Sequence, residues 1–140
     1  MWKMIAAGTV IACLYALGCE SEPQRAKAPA PKRTTLRGYI DKPEKNAKVT
    51  GQLQVVGWAL DDEGQVRRVE VLVDDGVYEA KLGRRSEGLC KTYPKRPACA
   101  AAGFETAVAE VRPGRHTVVA RLTNDRGETL YVGKREFQVQ

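Results

Sequence analysis

Apolar and polar positions change rhythm twice along the chain. After Met1-Trp2-Lys3 no charge occurs until Glu20, and the stretch between is mostly Ile, Ala, Val, Leu, Cys and Tyr, broken by Gly8 and Thr9. Over residues 20–35 apolar periodicity vanishes and Pro, Ala, Lys, Arg, Glu and Gln take over. From Leu36 onward, short runs alternate apolar with polar, the period of a strand with one buried face. The runs predict strands near 36–40, 53–60, 66–73, 77–82, 104–111, 116–123 and 129–139, with turn residues at Asp61-Asp62-Glu63-Gly64, Asp74-Asp75-Gly76, Arg112-Pro113-Gly114 and Asn124-Asp125-Arg126-Gly127. The expected fold class is all-β, an antiparallel β-sandwich of about seven strands. Alternation turns Val69, Val71, Val73, Val118, Ala120 and Leu122 inward and Glu70, Thr117 and Arg121 outward. Trp58, inside the apolar run 55–60, is expected to plug the core.

The first apolar stretch has the form of a secretory signal peptide. It is shorter than the roughly 20 residues a spanning helix needs, which weakens the alternative of a retained membrane anchor. Its end, Ala16-Leu17-Gly18-Cys19, resembles the bacterial lipobox, with Leu and the small residue interchanged. That resemblance implies cleavage before Cys19, acylation of its thiol (palmitate being the usual class of chain), and a lipid partner in the membrane. Ordinary signal cleavage near Gly18 is the alternative. Glu20, where inner-membrane retention in enteric-type sorting uses Asp, favours the outer membrane over the inner. The expected domains are therefore a signal peptide over 1–18, lipidated Cys19 with a disordered Pro/Ala/Lys-rich linker over 19–35, and the sandwich over 36–140. Pro23, Pro29 and Pro31 favour extended backbone, giving the tether a reach of about 40 to 50 Å.

Composition adds two things. Of four cysteines, Cys13 leaves with the signal and Cys19 takes the lipid, so Cys90 and Cys99 remain as a pair that forms a disulfide in an oxidising envelope. The formal net charge is +6, but in an exported chain that charge is expected to meet envelope phosphates or acidic partners, and no nucleic acid.

Ordered pieces of the folded part, Gly38-Tyr39-Ile40-Asp41-x-Pro43, Gly57-Trp58-Ala59-Leu60-Asp61-Asp62-x-Gly64, Val69 to Asp74, Cys90-x-x-Tyr93-Pro94-x-x-Pro97-x-Cys99 with Gly103-Phe104, and Gly114-x-His116-Thr117, together resemble a bacterial immunoglobulin-like domain. The resemblance implies an immunoglobulin-like topology and no general activity, because this architecture hosts adhesion, spacing, sugar binding and assembly alike. Where relatives often carry Arg-Pro-Asp before the Tyr-Pro-x-x-Pro loop, this chain has Ser86-Glu87-Gly88.

Candidate chemistry concentrates in residues 83–103. Arg84, Arg85, Lys91, Lys95 and Arg96 stand against one acid, Glu87, leaving +4, and Tyr93 lies among them. A bridged loop of this length is expected to contact an anionic envelope component or a protein partner, the alternative being a stapled surface loop whose charges only aid solubility. His116 is expected half-buried at a strand entrance with its ring nitrogens bonded to backbone. The acidic turns offer oxygen ligands for calcium, but none has EF-hand spacing. There is no G-x-S-x-G, H-E-x-x-H, C-x-x-C or P-loop motif and a single histidine, so neither an enzyme nor a cofactor is expected. A non-catalytic envelope binding or structural module leads. A carbohydrate-binding lipoprotein, which needs aromatic platforms outside the core, and an accessory subunit of an assembly or secretion complex are the alternatives.

Overall fold

A computed structural model describes residues 33–140. The expected signal segment, Cys19 and the linker up to residue 32 lie outside the described residues. Nine strands form, β1 (Leu36–Lys42), β2 (Ala47–Val49), β3 (Leu53–Asp61), β4 (Val66–Val73), β5 (Gly76–Glu79), β6 (Lys81–Arg84), β7 (Gly103–Val108), β8 (Gly114–Asn124) and β9 (Thr129–Val139). A one-turn helix α1 (Leu89–Thr92) and a 3-10 segment (Pro97–Ala101) interrupt the loop between β6 and β7.

The strands make two sheets, ordered β1-β3-β7-β6 and β2-β9-β8-β4-β5, the immunoglobulin-like sandwich expected of the alternating pattern. Between them lies one apolar core. Val69, Val71, Val118, Ala120 and Leu122 are fully buried in it, as their alternation requires, with Ile40, Leu53, Val55, Phe104 and Phe137. Val73 pairs with Gly76 across a two-residue turn at Asp74-Asp75, and Asp74 takes φ 50°, a conformation Asp tolerates better than most residues.

Three expectations need correction. The segment 77–82, read as one strand, is two, because the chain changes sheets at Ala80, which is buried and donates its N–H to the Val69 carbonyl at 2.9 Å. An additional strand, β2, runs parallel to β9 in register Ala47↔Phe137 and is too short to show a period. The fold also begins before Leu36. Thr34 Oγ1 accepts from the Leu36 N–H at 3.1 Å, Thr35 Oγ1 donates to Asp61 at 2.7 Å, and the Thr35 carbonyl accepts from Asp62 N–H at 3.0 Å.

Candidate functional site

The loop over residues 83–103 is built as part of the outer face of the β1-β3-β7-β6 sheet. Cys90 and Cys99 are bridged, with Cα atoms 5.1 Å apart. Ser86 works as a clasp between the loop's two ends. Its Oγ donates to the Cys99 carbonyl at 2.6 Å and accepts from Ala102 N–H at 2.7 Å, and its N–H donates to the Ala100 carbonyl at 2.8 Å. Arg96 reaches Asp62 at the end of β3, 3.1 Å away, and Arg37 of β1 meets the same carboxylate at 2.8 Å. An otherwise unremarkable acidic turn therefore anchors the loop to the sheet.

The loop covers part of what would be solvent-facing sheet. Leu60 points to the opposite face from core residue Ala59, yet is 1 % exposed, sharing a crevice with Ala98, Ala101 and Ala102. Trp58 shares Leu60's parity, which corrects its expected place in the core. It is half-buried on the outer face, paired across strands with Tyr39 on one side and Gly103 on the other. The Tyr93 ring lies 5.7 Å from it, tilted by 51°. Tyr39 remains 49 % exposed, with the Arg135 guanidinium 4.6 Å over its ring. The structure thus gathers Tyr39, Trp58 and Tyr93 into an aromatic row outside the core.

The basic residues divide into two groups. Arg84 pairs with Glu105 at 3.4 Å, Arg85 with Glu87, and Arg96 with Asp62, so all three arginines are engaged inside the domain. Lys91 and Lys95, both exposed, have no ion-pair partner among the described residues. Only these two lysines of the five expected cations project unpaired.

Two polar clusters lie outside this face. Asp61, its side chain wholly buried, accepts from Thr35 Oγ1 at 2.7 Å, Glu63 N–H at 2.9 Å, Asn124 Nδ2 at 2.7 Å and Arg126 Nη2 at 3.1 Å. Burial alone would raise its pKa. The donors outweigh that and hold it at about 2. His116 binds the Arg112 carbonyl through Nε2 at 2.6 Å, as expected, but its Nδ1 meets the Asp74 carboxylate at 2.5 Å rather than backbone. The hydrogen bond that His116 donates to the Asp74 carboxylate is the main reason its pKa rises, and the same contact lowers that of Asp74. The acidic turns do not gather as cation ligands. Asp61 is compensated by Arg126, and Asp62 by Arg37 and Arg96. Among the described residues no group of three or more His, Cys, Asp or Glu side chains is arranged to hold a metal ion.

Comparisons with known proteins agree with this architecture. The fold is similar to the fibronectin(III)-like modules of Clostridium thermocellum CbhA, with a TM-score of 0.54 and 11 % identity over 74 % of this chain and 94 % of that one. It is also similar to part of the endo-beta-1,4-mannanase from Thermotoga petrophila, with a TM-score of 0.56 and 12 % identity over 80 % of this chain and 21 % of that one. At such identities the likeness shows the fold alone, and that fold suits a non-catalytic binding or structural module. No curated protein matches the chain in sequence. A family model described as a bacterial Ig domain matches residues 39–120, more than half of the chain, and the protein belongs to that family.

Proposed function

We propose that this is a cell-envelope lipoprotein, held in the membrane through acylated Cys19, whose immunoglobulin-like domain is a non-catalytic module that engages an anionic envelope component. The observation that carries the binding half is the division of labour among the loop's cations. Arg96 ties the loop to Asp62 and Arg84 and Arg85 are paired with Glu105 and Glu87, while Lys91 and Lys95 are left unpaired on a frame already stiffened by the Cys90–Cys99 bridge and the Ser86 clasp. A pre-ordered loop loses little conformational freedom on binding, so even two exposed charges yield usable affinity for a phosphate- or carboxylate-bearing surface.

The anchoring half rests on the sequence Ala16-Leu17-Gly18-Cys19 and on the cysteine pairing, which leaves Cys19 without a partner in the domain. Glu20 after the cysteine favours the outer membrane over the inner, with the Pro-rich segment 20–35 as the tether. Growth of expressing cells on labelled palmitate tests it. The expected result is label on the wild-type chain and none on Cys19→Ala, which appears in the soluble fraction. Label retained by Cys19→Ala, or absent from the wild type, overturns the anchor.

A further inference from the structure

Beside the aromatic row lies a shallow cleft of ≈ 270 Å³ that neither lysine lines. Its floor is Gly103, which sits between Trp58 and Arg84 in the cross-strand register and presents no side chain. A Cβ there would come within 2.7 Å of the Arg84 backbone oxygen, so the depression is imposed by the close approach of β6 to β7. The walls are Trp58, Leu89, Asp41, Arg84, Arg85 and Ser86, with backbone at Gly57 and Gly88. The Trp58 indole N–H has no acceptor among the described residues, and none of their buried side-chain nitrogens or oxygens lacks a partner, so this donor is open to solvent.

These are the elements that a sugar ring requires. The partly positive C–H face of a pyranose is attracted to the negative face of an aromatic ring, and a few fixed polar groups set the orientation of its hydroxyls. Here Asp41 accepts and Arg84 donates on the two sides of the indole. The charge balance disfavours an anion in the same place. Arg84 is already paired with Glu105 and Arg85 with Glu87, while Asp41 adds an uncompensated carboxylate to the wall.

We infer that the Trp58–Gly103 cleft is a subsite for one pyranose unit of a neutral glycan, separate from the lysines that meet the anionic component. This deepens the reading of the domain as an envelope-binding module and rests on it.

Trp2 and Trp58 are the only tryptophans, so the full chain carrying Trp2→Phe, in a sugar-free detergent, reports on the cleft by indole fluorescence. The probes are hexasaccharides of β-1,4-linked glucose, mannose, xylose and N-acetylglucosamine. The inference expects at least one to shift the emission saturably, with affinity unchanged by 0.5 M salt. Asp41→Ala and Arg84→Gln, both at exposed positions and each compared with the wild type by circular dichroism for retained fold, should each weaken that probe by about tenfold or more, the scale of a hydrogen bond to a charged group. Lys91→Gln/Lys95→Gln should bind it as the wild type does. The inference is overturned if all four probes leave Trp58 unmoved, or if the Asp41 and Arg84 variants titrate like the wild type. Either failure leaves the lysine-dependent association with envelope standing as a separate result.

Discussion

Asp61 shows how one residue's environment becomes a property of the protein. It is a buried carboxylate whose oxygens are all engaged, and Asn124, also buried, bonds both it and Glu128 while accepting the backbone N–H groups of Arg126 and Glu128. Its folded-state pKa of about 2 lies below the ordinary value of 3.8, so the unfolded chain binds the extra proton first. The contribution is present above about pH 4 and is lost as pH falls toward 2. The shift corresponds to about 2 kcal/mol. Acid unfolding of Asp61→Asn should accordingly show a flatter dependence of stability on pH between 4 and 2 than the wild type, and an identical slope would contradict the assignment. His116 and Asp74 work in the opposite and complementary sense. The raised histidine pKa stabilises the fold below its unfolded value of 6.5 and stops doing so as pH climbs through the folded value, while the lowered Asp74 pKa contributes above 3.8 and is lost in acid. The melting-temperature difference between wild type and His116→Gln should therefore be greatest between pH 3.8 and 6.5 and should shrink on either side.

Among the elements, β3 is the one on which the site depends. Its inward positions Leu53, Val55, Gly57 and Ala59 meet the core, and a Cβ on Gly57 would lie 2.2 Å from the Tyr39 carbonyl oxygen and 2.6 Å from the Phe104 ring. Gly57→Ala is expected to destabilise the domain by about 1 to 3 kcal/mol, the range for an overpacked core, as read by urea unfolding. The loop's staple acts on the same sheet. Replacing Cys90 and Cys99 by Ser removes a short closed loop worth on the order of 2 to 3 kcal/mol and should lower the melting temperature while leaving the far-ultraviolet strand signal intact.

The elements also show what could be read in advance. β4 and β8 were legible residue by residue because each has one wet face, and the period of 2 survives. β3 was legible as a strand but not in its facing. Val55 to Leu60 is apolar on both parities, since the core covers one side and the loop the other, and alternation cannot separate Trp58 from Val55. Tyr39, two residues after Arg37 on the same parity, held the missing signal, because an edge-strand tyrosine opposite Trp58 places both rings outside. The anchor Asp62 was hidden for a different reason. Asp is ordinary in a turn, and its arginine partners lie 25 and 34 positions away.

At the scale of the molecule, the domain displays one constructed face. The bridged loop, which carries the two unpaired lysines, and the aromatic row share the outer side of the β1-β3-β7-β6 sheet, and the proposed lipid and tether would hold the domain within reach of the envelope. The division of the loop's cations into paired arginines and unpaired lysines carries the binding proposal. Its most direct test is co-sedimentation of the full-length chain with isolated cell envelopes over a salt series, comparing wild type with Lys91→Gln/Lys95→Gln in a Cys19→Ala background that removes the anchor. The account predicts wild-type association that weakens with salt, and a double variant that binds several-fold more weakly at low salt with a flatter salt dependence. Equal association of the two proteins at every salt concentration would contradict it.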